Sequence, residues 1–344
     1  MKVLVTGGAG YIGSVLVKEL LDRGYSVRVF DKFYFGREGL KSVEKKIEMV
    51  QGDLRNFNES ILDGVGAVIH LGGFSNDPMA EFNPKFNDEV NATATKLLAE
   101  ACVHKGISRF TYASSASIYD RGLKGSDREQ MEDEEVEPKY AYSVSKYKGE
   151  QYLREIMKTA PKFCPVILRQ GTVFGYSPRM RYDLVVNTFV KDAMKKGRLT
   201  AFCGGVAWRP LVSVKDVAKA HILAMESKED VVKGQTFNIS LDNFQVWDIA
   251  HRVKETFKGI KQIEVDIDYS PDRMDRSYKL SNKKSENVLG LRYAVSIESS
   301  VREMIEKISA GLAADFDNPA HYNIRWLEQL KEVEDKVKSM GGVF

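Results

Sequence analysis

Short apolar runs alternate with longer stretches of helical periodicity through the first half of the chain. Lys2-Val3-Leu4-Val5 is continuously apolar rather than alternating, which predicts a strand covered on both faces. Ile12, Val15, Leu16 and Leu20 then recur at helical spacing between Tyr11 and Arg23, and Gly24 supplies a stop. The same pattern predicts strands over Ser26 to Phe30, Ile47 to Val50, Ala67 to Leu71, Arg109 to Ala113 and Pro165 to Leu168. Helices are predicted over Asn91 to His104 and Tyr142 to Met157. Strand and helix in alternation predict an α/β fold, a Rossmann-type doubly wound parallel sheet with helices on both faces.

The rhythm changes after about residue 175. Gly, Pro and Arg gather in 175–181 and again in 204–210, as in loops that carry binding groups on a rigid scaffold. Val212 to Met225 reads as a strand end running into a helix, so the chain is expected to return to the large domain. The predicted division is a nucleotide-binding domain over 1–174 with a return at about 211–240. A smaller, discontinuous C-terminal substrate-binding lobe takes 175–210 and 241–310, and a helical tail takes 311–344. In the tail Trp326, Leu330, Val333 and Val337 share one helical face, expected to pack on the body of the protein rather than on a partner.

Composition narrows the function classes. The chain is 43% hydrophobic and 29% charged with a net charge of only +3, and its charges are interspersed, so neither a nucleic-acid nor a membrane surface is indicated. No apolar run approaches the ~18 residues of a membrane helix. A strand and a glycine turn begin at once, so the N-terminus does not read as a signal peptide. Cys102, Cys164 and Cys203 lie far apart and read as reduced thiols, and the expected location is cytoplasmic. The five histidines show no ligand spacing, so no metal site is expected.

The chemistry begins at Thr6-Gly7-Gly8-Ala9-Gly10-Tyr11-Ile12-Gly13, directly between a strand and a helix. Gly7 permits the tight turn, Gly10 lets backbone approach a pyrophosphate, and Gly13 lets the helix sit close on the strand. The helix N-terminus then offers N–H groups and a favourable dipole to phosphates. Asp31, at the end of the next strand, stands where a carboxylate accepts hydrogen bonds from an adenosine ribose. A carboxylate there repels a 2′-phosphate and favours NAD over NADP. Lys32 and Arg37 weaken that preference unless they are simply solvated surface charge. Asp53 follows the third strand and reads either as an adenine contact or as a helix N-cap. Leu71-Gly72-Gly73 ends the fourth strand, where two glycines admit a ligand to the crevice.

Tyr142 and Lys146 are four apart at the start of a helix and project from one face. An ammonium beside a phenol is expected to lower the phenol's pKa, so that the tyrosine takes and returns a proton. Ser115, ending the fifth strand, is placed to hold the same substrate oxygen. A Tyr-x-x-x-Lys pair alone is a common helix-surface pattern; joined to a dinucleotide turn and a strand-end serine, it reads as a hydride-transfer site.

These residues, together with Val68-Ile69-His70-Leu71, Asn91, Ser114 to Tyr119, Tyr142-Ser143-Val144-Ser145-Lys146 and Leu168-Arg169, resemble the extended short-chain dehydrogenase/reductases. The likeness is to the nucleotide-sugar epimerase and dehydratase branch. The resemblance implies that Tyr142 is the acid/base, that Lys146 binds the nicotinamide ribose, and that Ser115 positions the sugar hydroxyl. It implies a cofactor set that also includes Tyr11, Ile12, Lys32, Leu54, Ser114 and Gly171, with Asn91 touching the cofactor unless it is a packing amide. His70 reads as structural. The implied substrate is a nucleotide-diphosphate sugar, held by Ser115, Ser117, Thr172, Arg179, Arg181, Asn187, Arg209 and Arg276, the arginines because their planar donors meet phosphate oxygens in pairs. For Arg179, Arg181 and Asn187, loop structure is the alternative. A homodimer through the helices at 91–104 and 142–157 is expected by resemblance alone.

Dehydratases of this branch carry an Asp-Glu pair after the catalytic hydroxyl residue; Ala116-Ser117 stands there, which disfavours water loss. The nearer likeness is to UDP-glucose 4-epimerase, with Gln170-Gly171-Thr172 and Asp120 as departures from its usual pattern. A 4-ketoreductase of a nucleotide sugar would share every catalytic residue and remains the alternative.

Overall fold

The computed structural model describes residues 1–120, 128–271 and 276–342. Seven strands form one sheet: β1 (Lys2–Thr6), β2 (Ser26–Asp31), β3 (Ile47–Gln51), β4 (Val65–His70), β5 (Arg109–Ser115), β6 (Cys164–Gln170) and β9 (Thr236–Ile239). Their order is β9-β6-β5-β4-β1-β2-β3, and every pairing is parallel. The chain winds outward from β1 to β3, then crosses back to β4 on the other side of β1. A crevice therefore opens at the carboxyl ends of β1 and β4, where Thr6 pairs with both Phe30 and His70. The strand interiors are buried on both faces, as their unbroken apolar runs require.

The predicted elements are present, with ends shifted by a residue or two. The helix expected from Asn91 is instead a π-turn over Glu89–Thr93 leading into an α-helix over Ala94–His104. Asn91 sits in that wide turn, and such turns recur at functional sites. Edge strand β9 is only four residues, too short for periodicity to distinguish it.

Beyond β6 the chain builds a smaller mixed sheet from β7 (Thr172–Phe174), β8 (Trp208–Ser213) and β10 (Asp242–Gln245). The helix Val214–Glu226 returns to pack on the first helix, Tyr11–Asp22. One apolar cluster runs from Val166, Leu168 and Phe237 of the large sheet into Phe189, Leu211, Val253 and Met304 beyond it. The two layers are thus joined by continuous core.

In the C-terminal helix, Asn323–Ser339, the packing face is shorter than its stripe suggests. Leu327 is buried, Leu330 lies against the core and the Trp326 N–H donates to the Tyr34 carbonyl. Val333 is 58% exposed, so the expectation that the whole stripe packs on the body is corrected at Leu330. Past that point the helix leaves the body, and i,i+4 pairs such as Lys331–Asp335 and Glu332–Lys336 line it. Among the described residues no helix is long and apolar enough to cross a membrane, and no three candidate metal ligands cluster.

Candidate active site

The turn after β1 is packed backbone against backbone. Gly7 has φ +70°, and a Cβ there would lie 2.8 Å from the Gly72 Cα. A Cβ at Gly13 would meet the Gly7 carbonyl oxygen at 2.3 Å. Only hydrogen fits, which brings the first helix down onto the turn. No side chain caps this helix, and Gly10, Tyr11, Ile12 and Gly13 line the cleft at its N-terminus. A cradle of backbone at an uncapped helix start suits a pyrophosphate.

Asp31 lines the same cleft. One carboxylate oxygen accepts from the Phe33 N–H at 2.7 Å and the other from the Ala9 N–H at 3.0 Å. Burial raises its pKa, and hydrogen bonds from the backbone of Phe33, Ala9 and Lys32 oppose the rise. Of the carboxylate's roughly four lone-pair sites, acceptor capacity remains for a ribose hydroxyl. Asp53 caps no helix; it accepts from Arg55 and from Lys32 at 3.1 Å, and the Arg55 guanidinium holds it well below the usual carboxylate range. Lys32 is therefore paired rather than free surface charge. Leu54, Leu71, Gly72 and Gly73 complete this wall.

Further along, Ser114, Ser115, Ser117, Tyr142, Gly171 and Thr172 line the cleft. Ser115 ends β5 and donates to the Ser117 hydroxyl at 3.0 Å. Tyr142 starts the helix Ala141–Thr159. Burial pushes its phenol up to about 12, and the Ser115 hydroxyl pulls the other way. The expectation of a lowered phenol is corrected here: desolvation outweighs it. The reason is the position of Lys146, whose ammonium donates to the Ala113 carbonyl at 3.0 Å and lies 5.2 Å above the Tyr112 ring. Burial pulls that ammonium down to about 8.

Three sequence-predicted residues do not reach the cleft surface. Lys146 and Asn91 stand behind Gly73, where an added Cβ would meet the Asn91 side-chain oxygen at 2.2 Å and the Lys146 nitrogen at 3.6 Å. The Asn91 amide nitrogen, with two protons, lies in hydrogen-bond reach of three acceptors, on Phe74, Asn87 and Ser145, while its oxygen is buried without a hydrogen-bond partner. Asn187 is buried elsewhere, donating to the Tyr11 hydroxyl and the Arg181 carbonyl and accepting from the Gly175 N–H. It shapes the loop that carries the arginines. His70 bridges Thr6 and Thr95, and burial pulls it down to about 3, consistent with a structural role.

The predicted arginines all line the cleft but sit differently. Arg181 makes two bonds to Asp183, at 2.8 and 3.0 Å, and one to Ser75. Arg276 pairs with Asp77 and with Asp120 at 3.2 Å. Arg209 donates to the carbonyls of Trp208 and Arg276. Arg181 lowers and Asp77 raises the Tyr142 pKa, which places both within electrostatic reach of the phenol. Arg179 stands apart, stacked on Phe35 and bonded to Asn323. Among the lining residues that sequence reasoning missed are Phe35, Gln170, Tyr278 and Asn323. Asn323 carried no signal, because helical periodicity in the tail pointed only to packing.

A doubly wound parallel sheet with a glycine cradle at its switch point, and Ser115 and Tyr142 in the same cleft, is a Rossmann-type architecture. The chain belongs to the NAD dependent epimerase/dehydratase family, whose model matches residues 3–240. It is 28% identical over 319 residues to UDP-glucose 4-epimerase of Mycolicibacterium smegmatis, covering 89% of this chain and 98% of that one. Its fold superposes on UDP-glucose 4-epimerase of Thermotoga maritima, solved with UDP-glucose, with a TM-score of 0.80 and 25% identity over 91% of this chain and 100% of that one. The Thermus thermophilus UDP-glucose 4-epimerase, solved with NAD, matches with a TM-score of 0.76 and 27% identity, covering 89% and 98%.

Proposed function

We propose that the protein is an NAD-dependent 4-epimerase of a nucleotide-diphosphate sugar, of the UDP-glucose/UDP-galactose type. The observation that carries this reading is a single cleft with two chemistries. At one end lies the glycine cradle with Asp31; at the other, Ser115 and Tyr142 stand with Arg181, Arg209 and Arg276. The backbone cradle and Asp31 fit NAD: an uncapped helix start for the pyrophosphate and carboxylate lone pairs for a ribose.

NAD, when bound, supplies the hydride acceptor and donor; the protein binds, orients and moves the proton. Ser115 holds the C4 hydroxyl, and the phenolate form of Tyr142, the minor form near neutrality in the cofactor-free protein, takes its proton as the carbon is oxidised. The 4-keto sugar turns in the cleft, and Tyr142 returns the proton after reduction on the other face. Lys146, behind Gly73, orients the ribose. Ala116-Ser117, in place of an acidic pair, gives no group to expel water. The arginines bind the diphosphate, and residues 175–210 and 241–310 form the lobe that receives the sugar nucleotide. A homodimer through the helices Ala94–His104 and Ala141–Thr159 accords with exposed Leu97 and Val103 on the first of them.

Denaturing the purified protein and assaying the supernatant tests the cofactor. Released NAD supports a recycling epimerase; an empty site favours the 4-ketoreductase reading. Conversion of UDP-galactose to UDP-glucose, followed by chromatography, tests the reaction. No interconversion across a panel of nucleotide hexoses would overturn the epimerase assignment.

A further inference from the structure

Arg179 is 7% exposed, yet among the described residues no carboxylate lies within ion-pairing distance of it. Its Nη2 donates to the Asn323 side-chain oxygen at 2.6 Å, its guanidinium lies 3.8 Å above the Phe35 ring, and its Nε has no hydrogen-bond partner. Arg181, two residues on, is satisfied by Asp183. Burial, with the Arg181 charge adding to it, pulls Arg179 down to about 9, although the Asp183 and Asp31 carboxylates, near but not paired with it, pull the other way. Its unpartnered Nε leaves it able to take an anion, and Arg179 lines the cleft.

Its neighbours identify which end of the cleft it serves. Phe35 belongs to the loop after β2, two residues beyond the Phe33 N–H that binds Asp31. A Cβ on Gly39 would lie 3.0 Å from the Arg179 Cβ and 3.3 Å from that of Ser14, in the first helix. The Asp31 carboxyl is stabilised in its charged form by Arg179. These elements all belong to the glycine-cradle end. Asn323 also donates to Ser75 at 2.9 Å, and three residues later Trp326 ties the helix to Tyr34, beside Phe35.

We infer that Arg179 binds a phosphate of the dinucleotide rather than of the sugar nucleotide, and that Asn323 of the C-terminal helix holds its guanidinium in place. The inference rests on the dinucleotide reading above. The phosphate is either the pyrophosphate or, in NADP, the 2′-phosphate beside the ribose. Asn323 is a positioning residue: the tail thereby becomes part of the cofactor site.

The test is equilibrium binding to the cofactor-free protein of NAD, NADP, ADP-ribose and adenosine, read by calorimetry. In Arg179→Gln, affinity for ADP-ribose and NAD should fall about 10- to 100-fold while adenosine binding is unchanged. A loss confined to NADP would assign the 2′-phosphate instead and also support a phosphate role. Arg179→Lys should recover part of the loss, since it restores charge without the fork. The melting temperature of the cofactor-free Arg179→Gln protein should not fall, because desolvation of the guanidinium outweighs the help it gets from Asp183 and Asp31. Equal losses for adenosine and ADP-ribose would show a merely structural residue and overturn the inference, as would unchanged affinities throughout. If Arg179→Gln does not fold, Asn323→Ala should show the same selective loss at about 3- to 10-fold, and its absence is equally decisive. Failure of the unmutated protein to bind any dinucleotide would instead overturn the proposed function.

Discussion

The ammonium of Lys146 donates to the main-chain carbonyl of Ala113 at 3.0 Å, one turn of helix away from Tyr142. It is thereby held behind the strand-end backbone, with the Gly73 hydrogen between it and the cleft. Two groups that face the same way on one helix have been separated in function by where the neighbouring strand ends. Tyr142, left to burial, stays protonated near neutrality.

Tyr142→Phe should retain cofactor and fold yet lose turnover by about 10²- to 10⁴-fold, as expected for removal of a general acid/base. Cofactor content and steady-state rate, measured on the same sample, check this. Turnover within a few-fold of the unmutated protein would refute the role.

Lys146→Met should separate stability from activity. The folded ammonium titrates at about 8, below its ordinary 10.5. The unfolded chain therefore binds more protons between those values, and stability rises with pH through that window. Removing the group should leave the cofactor-free melting temperature at pH 7 unchanged or higher, flatten its rise between pH 8 and 10, and reduce turnover at least 10²-fold. A lower melting temperature together with normal turnover would contradict both halves.

Gly13→Ala should destabilise the fold by about 1–3 kcal/mol through overpacking against the Gly7 carbonyl, and should abolish dinucleotide binding. Denaturant unfolding and calorimetric titration check the two effects separately.

His70 and His221 are buried, and burial pulls each down to about 3 from 6.5. The unfolded chain takes up protons below about pH 6.5 that the folded chain refuses, so stability falls as the solution is acidified. With both histidines contributing, the slope reaches at most ~2.7 kcal/mol per pH unit, twice the ~1.36 kcal/mol of one group. Two of the five histidine ring signals should stay unshifted from pH 8 to pH 5 in a magnetic resonance titration. Titration of all five in that range would contradict the burial argument.

Ending the chain after Lys331 should change stability by no more than about 0.5 kcal/mol, because the helix beyond Leu330 is exposed apart from half-buried Val337. Ending it before Asn323 should also weaken cofactor retention, which dialysis of the loaded protein would reveal.

Local physics made much of the molecule readable in advance. Continuous apolar strands, helical periodicity and glycines where a turn must meet a phosphate are short-range facts. They led to the doubly wound sheet, to the cradle at Gly7, Gly10 and Gly13, and to Asp31 at the end of β2. Ser115 and Tyr142 were legible because strand ends and helix starts meet at the crevice of such a sheet.

What the tertiary structure alone decided is which polar groups face the cleft and which are spent inside the protein. Side-chain spacing puts Lys146 on the face of Tyr142, but only the packed strand end gives it Ala113 as a partner. Asn187 and Arg181 are near neighbours in the sequence, yet one shapes a loop and the other lines the cleft. Asn323 reaches Arg179 across 144 positions, a separation no periodicity can encode. The sequence by itself determined the elements, the layer order and which polar residues stand at strand ends, because these follow from local backbone and burial preferences. Partner choice, desolvation and hence the pKa of Tyr142 depend on long-range packing, which exists only once the chain has folded.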